Sequence, residues 1–166
     1  MRIIGIDPGT AILGYGILDR QGNQFALQDY GCIRTRAHTA QPDRLYHIFN
    51  ELNRLIETYR PDTMGVEELF FNRNTTTAFT VGQARGVVLL AARTHGMTVG
   101  EYTPMQVKQG VTGYGSADKR QVQEMVRVIL GMKELPRPDD AADALAVAIC
   151  HGHSCGPLGE AMKGLR

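Results

Sequence analysis

The sequence predicts an α/β fold in which a mixed five-stranded sheet carries helices on both faces. Three observations support this prediction. The first part of the chain holds three strand-like runs separated by turn signals, as in consecutive β-hairpins. The remainder alternates amphipathic helical patterns with short strand-like segments, which is typical of a sheet covered on both faces. The length of 166 residues suits one domain with a substantial core.

The N-terminal elements follow from apolar periodicity and from the residues that interrupt it. A turn signal at Arg20-Gln-Gly22-Asn23 separates the second strand from the third. Pro42 favours a loop before the first helix, and Pro61 stops that helix. The predicted elements are strands over 2–7, 13–17 and about 24–34, a loop over 38–43, and a helix over 45–59.

The remaining elements alternate between strand and helix. Thr103, Pro104 and Gln106 have the pattern of a capped helix start. The predicted elements are a strand over 63–67, a helix over 75–94, a strand over 97–102, a short helix from 104, a glycine-spaced loop over 110–115, a helix over 122–130, and a last helix from 139 to about 151. Right-handed crossovers would make the strand at 63–67 parallel to the first strand.

The composition is that of an ordinary globular protein, with 43% hydrophobic and 21% charged residues. No apolar run approaches the ~20 residues that span a bilayer, and no signal segment precedes the first strand. Three widely spaced cysteines give no disulfide framework and suit a reducing compartment. We therefore expect a cytoplasmic protein without membrane contact, with one domain over 1–155 and a flexible tail over 156–166.

Acidic residues stand at the predicted ends of two strands and at the start of the last helix. The acids considered are Asp7, Glu67, Glu68, Asp139, Asp140 and Asp143. Four carboxylates around one pocket are unfavourable unless protons or cations neutralise them. Oxygen-only ligands favour Mg²⁺ or Mn²⁺, and two such ions about 4 Å apart can activate water for in-line displacement at phosphorus. The pattern predicts a metal-dependent phosphodiesterase site.

The residues alone leave the membership of this cluster open. Only one of Glu67 and Glu68 can face the pocket, because neighbouring strand residues point to opposite sides. Asp139 is well placed as a helix N-cap, with Asp140 beside the positive end of the helix dipole. Asp143 lies in an apolar helix, where a carboxylate without a partner is costly, so it needs a function or a partner.

Six motifs, in this order along the chain, resemble the RuvC family of bacterial crossover junction endodeoxyribonucleases. They are the stretches 5–10, 66–71, 82–86, 106–109, 115–119 and 140–146. The resemblance covers nearly the whole chain and fades after about Cys155. It implies a ribonuclease H-like fold and an enzyme that resolves Holliday junctions in recombination and repair. Such an enzyme makes paired, symmetric nicks in strands of like polarity and leaves 5′-phosphate and 3′-hydroxyl ends.

The resemblance also implies the site, its cofactor and its partners. The four catalytic, metal-binding acids fall on Asp7, Glu67, Asp140 and Asp143, which selects Glu67 over Glu68 and leaves Asp139 as a cap. The implied cofactor is Mg²⁺, two ions per active site, with Mn²⁺ able to replace it. The implied partners are four-way junction DNA, a second copy of the chain in a homodimer, and the RuvA–RuvB branch-migration complex.

Several residues outside the acid cluster are predicted to contact DNA. Phe70 and Phe71 cannot both face one core, and the polar run that follows places them at a loop; an exposed ring beside the site could stack on an unpaired base, worth ~1–3 kcal/mol. Core packing is the alternative. The resemblance places Phe70 at the branch point and gives Lys108 and Lys119 the basic DNA-contact positions. Arg73 is a further candidate.

Two patterns have competing interpretations. Ala78, Gly82 and Gly86 form a row of small residues that could pack on the sheet or on a partner helix, and the resemblance favours a dimer seam. The segment 150–155, Cys-His-Gly-His-Ser-Cys, looks like a zinc site, but its four donors crowd into six residues and cannot easily converge on one ion. One of its histidines, His151 or His153, is expected to interact with the negative end of the last helix, and a role for a histidine as proton donor stays open.

Three other functions compete with junction resolution. Actin-like ATPases also begin with a strand, an aspartate and a turn, but they need two such domains, for which 166 residues are too few. The chain also lacks the Walker pattern of P-loop enzymes. A ribonuclease H-like nuclease acting on RNA or hybrid duplex is a nearer alternative, and a non-catalytic binder of branched DNA is the third.

Overall fold

Five strands form one mixed sheet in the computed structural model, which describes residues 1–68 and 75–155. The strands are β1 (Arg2–Asp7), β2 (Ile12–Gln21), β3 (Gln24–Arg34), β4 (Thr63–Glu67) and β5 (Thr98–Tyr102). Their order is β3-β2-β1-β4-β5. The pairs β1–β2 and β2–β3 are antiparallel, whereas β1–β4 and β4–β5 are parallel. The predicted mixed five-stranded sheet is confirmed.

Helices cover both faces of this sheet, as predicted. They are α1 (Gln41–Tyr59), α2 (Thr75–Thr94), α3 (Pro104–Thr112), α4 (Lys119–Ile129) and α5 (Asp139–Ser154). Successive strand residues point to opposite faces and so divide the core in two. Ile3 belongs to the cluster formed with α3, α4 and α5, while Ile4 and Ile6 belong to the cluster formed with α1 and α2.

A row of glycines crosses the sheet beneath α5. Gly5 in β1 pairs with Gly16 in β2 and with Gly65 in β4, and Gly65 pairs with Gly100 in β5. A β-carbon on Gly5 would come within 2.7 Å of the Ala148 β-carbon, and one on Gly16 within 2.7 Å of a Leu145 methyl group. Added methyls on Gly65 and Gly100 would meet His151. The four strands thus present bare backbone along the path of α5.

Alanines in α5 match this bare surface. Ala141, Ala142, Ala144, Ala146 and Ala148 are all buried, so the helix is apolar almost all round. A helix of this kind belongs in a protein core. Short side chains on both surfaces allow the α5 backbone to approach the sheet closely, and α5 is the central helix of its layer.

A buried histidine fixes the far end of α5 to the sheet. The Nε2 atom of His151 lies 2.8 Å from the Thr63 hydroxyl, and its Nδ1 atom lies 2.8 Å from the Tyr102 hydroxyl. Thr63 begins β4 and Tyr102 ends β5. Because both ring nitrogens have partners in the sheet, these bonds set the orientation of the last turns of α5.

Three predicted boundaries were wrong in part. Helix α1 begins at Gln41 rather than after residue 43, because Pro42 lies in the first turn. Backbone N–H groups in the first turn have no partner within the helix, so a proline there costs no hydrogen bond. Helix α3 includes Gly110, predicted as loop, which packs against Cys150 of α5. Helix α5 continues to Ser154, beyond the predicted end at about residue 151.

No helix in the part of the chain that the structure describes is long and apolar enough to cross a membrane. Cys32 and Cys150 are free thiols. The predicted tail over 156–166 lies outside the described residues, so its flexibility stays a prediction.

We expect Gly5→Ala to destabilise the protein by about 3 kcal/mol or more, because the new methyl meets backbone atoms of α5 that cannot move independently. The matched control is Gly31→Ala in β3, whose methyl has the hydroxyl end of the Tyr15 side chain as its nearest neighbour; that side chain can shift, so a cost of about 1 kcal/mol or less is expected. Urea unfolding of both variants measures the difference. Equal losses of stability in the two variants would contradict the close packing of α5 against the sheet.

Candidate active site

The first two acids leave the sheet side by side. β1 and β4 are adjacent and parallel, with Ile6 opposite Val66, so the next residues, Asp7 and Glu67, emerge together at the carboxyl edge. Ligand sites of open α/β sheets lie at this edge. The Asp7 and Glu67 carboxyls lie close enough to shift each other's pKa. This proximity identifies Glu67 as a member of the cluster.

The glycine contacts of the sheet bring the start of α5 to the same place. Gly14 in β2 lies opposite Asp7 in β1, and a side chain on Gly14 would collide with the Asp140 carbonyl oxygen. Asp140 is therefore held beside the end of β1. Asp143 lies three residues further along α5 and shares a face of the helix with Asp140. The four acids that the sequence singled out thus converge at one sheet edge.

The close approach of these carboxylates has its largest effect on the pKa of Asp7. Burial raises the pKa of Asp7, and the negative charges of Glu67, Asp143 and Asp140 raise it further, to about 8. The Asp7 carboxyl therefore keeps its proton at neutral pH. Part of the negative charge of the site is neutralised in this way.

The neighbouring acids are shifted in the same direction. Burial raises the pKa of Glu67, with a further contribution from Asp143, although Asp7 and two lysines act in the opposite direction. Burial also raises the pKa of Asp143, and the nearby Lys119 ammonium offsets only part of this effect. Such shifts concentrate at functional sites, because the charges there are arranged for chemistry rather than for stability.

Lys119 is bound to the acid cluster. Its Nζ atom lies 3.1 Å from Asp143 Oδ2 and 3.2 Å from Asp139 Oδ2. Burial lowers the pKa of Lys119, but the two carboxylates outweigh burial and the net pKa is raised. The sequence predicted Lys119 as a contact to DNA and did not indicate that it also contacts the acids.

The prediction that Asp139 caps α5 is wrong. The N-cap position is Pro138, no side chain caps the helix, and Asp139 is the first helical residue. Its carboxylate instead binds the Lys119 ammonium and accepts a hydrogen bond of 3.1 Å from Gln123 Nε2. These two bonds lower the pKa of Asp139. Asp139 thus links α5 to the start of α4.

The donor atoms of the cluster suit a hard divalent cation. Asp7, Glu67, Asp140 and Asp143 offer only carboxylate oxygens. The raised pKa values of Asp7, Glu67 and Asp143 show that burial and mutual repulsion disfavour their charged forms, which a bound cation would stabilise. Within residues 1–68 and 75–155, no three His, Cys, Asp or Glu side chains form a ready-made metal-binding group. In this arrangement the proton on Asp7 and the Lys119 ammonium offset part of the negative charge.

The four cysteine and histidine side chains of segment 150–155 do not converge on one point: Cys155 Sγ lies 3.4 Å from His151 Nε2, whereas Cys150 and His153 contact α3. Cys150 Sγ lies 3.4 Å from a carbonyl oxygen of α3, and His153 Nδ1 lies 2.9 Å from another. The His151 ring is turned into the core between helix and sheet, which contradicts the prediction that it serves the end of the helix. Both histidines lie at the opposite end of α5 from Asp140, so neither is placed to donate a proton there.

The predicted DNA-contact residues are described only in part. The charges of Lys108 and Lys119 both act on Glu67, so the two lysines border the acid cluster. Phe70, Phe71 and Arg73 lie outside the described residues, and their contacts with DNA stay predictions.

Gly82 and Gly86 of α2 face away from the sheet. Among the residues that the structure describes, no atom lies within 4 Å of a β-carbon built on either glycine, so these two glycines do not pack against the sheet. Phe79 and Leu90, on the same face at helical spacing, are 71% and 58% exposed. Residues 79, 82, 86 and 90 form what we call the α2 stripe, an apolar strip left exposed by the described parts of the chain.

A sheet of this order, with carboxylates from two parallel strands and a crossing helix at one edge, defines the ribonuclease H-like class of nucleases. Residues 3–151 match the family described as crossover junction endodeoxyribonuclease RuvC. A crossover junction endodeoxyribonuclease RuvC from Heliobacterium modesticaldum is 63% identical over 154 residues, which are 93% of this chain and 95% of that protein.

Solved structures give the same result. The RuvC structure of Thermus thermophilus is 39% identical, with a TM-score of 0.86 over 99% of this chain and 97% of that one. The same organism's RuvC in complex with Holliday junction substrate is 37% identical, with a TM-score of 0.85 and the same coverage. The chain therefore belongs to the RuvC family of crossover junction endodeoxyribonucleases.

In buffer without divalent ions, we expect the protein to lose stability as the pH rises from about 4 to about 8. The reason is that folded Asp7 keeps its proton over this range while unfolded Asp7 has released it. Asp7→Asn stays neutral, so its free energy of unfolding should exceed that of the wild type by at least about 1 kcal/mol at pH 8.

Urea unfolding in EDTA across this pH range measures the effect. The control is Glu57→Gln, which removes a carboxylate from the exposed face of α1. Parallel pH profiles for wild type and Asp7→Asn would contradict the raised pKa of Asp7.

Proposed function

We propose that this chain is a Holliday junction resolvase that makes paired, symmetric nicks in strands of like polarity and leaves 5′-phosphate and 3′-hydroxyl ends. The observation that carries the proposal is the meeting of Asp7, Glu67, Asp140 and Asp143 at one sheet edge. Membership of the RuvC family and the likeness to a RuvC bound to a Holliday junction support the choice of substrate.

In this proposal the four acids are the catalytic residues and hold two Mg²⁺ ions, which Mn²⁺ can replace. Bound there, the ions would activate the attacking water and stabilise the leaving oxygen. The protein contributes the fixed geometry. Asp7 and Glu67 are held by β1 and β4, and Asp140 is held against Gly14 by the packing of α5. Precise positioning of a phosphodiester requires a rigid arrangement of the acids of this kind.

The lysines that border the acids would bind the DNA backbone. Lys108 in α3 and Lys119 at the start of α4 lie close enough to Glu67 for both charges to act on it. Contacts from lysine to phosphate are independent of sequence and weaken with salt. Phe70, with Phe71 and Arg73 nearby in the sequence, completes the proposed footprint at the branch point.

The proposed resolvase acts as a homodimer, because two strands of a two-fold junction require two active sites. The α2 stripe is the proposed seam. Its glycines let a second backbone come close, and Phe79 and Leu90 offer apolar surface to bury. In the cell, the proposed location is the cytoplasm and the proposed partner is the RuvA–RuvB branch-migration complex, by family analogy.

We expect Asp7→Asn and Asp143→Asn each to lower the rate of junction cleavage by at least about 10³-fold while junction binding persists, because each removes a ligand of the reacting centre. The measurement is digestion of a labelled four-way junction, a linear duplex and an RNA–DNA hybrid, side by side, with Mg²⁺ and with EDTA. Glu57→Gln on α1 is the control that should cut normally.

Each outcome separates the alternatives. Preference for the hybrid would indicate a nuclease of RNA or hybrid duplex instead. Junction binding by the wild type without cleavage of any substrate would indicate a non-catalytic binder. Cleavage at the same rate in EDTA as with Mg²⁺ would contradict the proposed dependence on a metal ion.

We expect Gly86→Glu to weaken the dimer by about 100-fold or more, because the two-fold axis brings two buried like charges together at the α2 stripe. Sedimentation velocity over a concentration series measures this change. The fold of the protomer should persist, since the position is open within it. Thr58→Glu adds the same charge to the exposed face of α1 and should leave the dimer intact; equal effects of the two variants would move the seam elsewhere.

A further inference from the structure

Lys119 occupies a place that its own helix does not favour. It is the first residue of α4, where the positive end of the helix dipole disfavours a cation. The helix start is fixed by Asp118, whose side chain accepts from the Gln121 N–H while Gln121 bonds back to the Asp118 N–H. The position of Lys119 is therefore set by the capping box, and its ammonium is held by the acids of α5.

The two acids that hold this ammonium differ in their surroundings. Asp143 belongs to the cluster and its side chain is 34% exposed, whereas Asp139 stands at the rim and is 58% exposed. Gln123, one turn further along α4, donates to Asp139 and keeps that carboxylate in place. Lys119 thus has one partner inside the site and one outside it.

We infer, on the basis of the proposed metal centre, that Lys119 is the resident counter-cation of the site. It neutralises Asp143 in the metal-free protein and moves onto Asp139 alone when a divalent ion binds the carboxylates. Asp139 is then a positioning residue, which keeps the displaced ammonium at the rim of the site. The family motif does not demand an acid at this position, but the contacts with Lys119 and Gln123 give it this role.

The electrostatics of the cluster support this exchange. Four carboxylates in one pocket need compensating charge, and a tethered lysine supplies it in every metal-free molecule. The same lysine opposes a divalent ion in two ways, since its bond to Asp143 must be broken and its charge repels the ion. Exposed ion pairs of this kind are weak, so the exchange needs little energy and is readily reversed.

The first test measures divalent binding directly, without cleavage. The full chain is stripped of metal with EDTA, and Mn²⁺ is titrated by calorimetry. We expect Lys119→Gln to bind Mn²⁺ about 3- to 10-fold more tightly than the wild type, because the competing cation is gone. Lys119→Arg keeps the charge and should bind Mn²⁺ like the wild type.

Lys108→Gln is the second control. It removes another cation whose charge acts on Glu67, and it should change Mn²⁺ affinity less than Lys119→Gln does. Unchanged affinity in Lys119→Gln, or an equal gain in Lys108→Gln, would overturn the counter-cation role. Absence of Mn²⁺ binding in the wild type would instead contradict the proposed metal centre itself, so the two failures are distinguishable.

The second test isolates Asp139. We expect Asp139→Asn to weaken Mn²⁺ binding by about 3-fold or more in the wild type, because the displaced ammonium then has no carboxylate to receive it. In the Lys119→Gln background no ammonium is displaced, and the effect of Asp139→Asn should be smaller. Equal effects in both backgrounds would show that Asp139 acts on the ion only through its charge, which would overturn the positioning role.

Discussion

The close packing of α5 against the sheet is the constraint on which the rest of the structure depends. Four aligned glycines in β2, β1, β4 and β5 remove the side chains that would hold the helix away. Alanines on the helix complete the fit. A fifth glycine, Gly14, admits the Asp140 carbonyl beside the end of β1. The distance between strand acids and helix acids is therefore set by backbone contact, which is stiffer than any contact between long side chains.

This site concentrates negative charge, and the protein compensates part of that charge in two different ways. The proton on Asp7 compensates the strand acids, and the Lys119 ammonium compensates Asp143. Both compensations are local and reversible, since a proton leaves with rising pH and an ammonium on a flexible stem can turn to another partner. The folded protein can therefore hold the four acids together without divalent ions, and the carboxylate oxygens remain available to bind such ions.

Much of this architecture could be predicted from the sequence, because strand alternation, helical periodicity and the capping box of α3 are local signals. The meeting of Asp7 with Glu67 followed from the direction of their two strands. Local signals could not choose Asp140 over Asp139, since both suit a helix start; resemblance was needed there. The errors have a common cause: Asp139, Gly110 and His151 take their roles from partners far away in the chain, in α4, α5 and the sheet. Nothing in a window of neighbouring residues records such partners.

The order of the elements also decides when the site can exist. β1 supplies Asp7 at the start of the chain, and α5, which supplies Asp140 and Asp143, is the last element in the described part. Until the ribosome has released residues beyond about 150, the sheet lacks its central covering helix and the strand acids stand alone. Unfinished chains therefore lack the complete acid cluster on which the proposed nuclease activity depends, so that activity would begin only once synthesis is nearly finished.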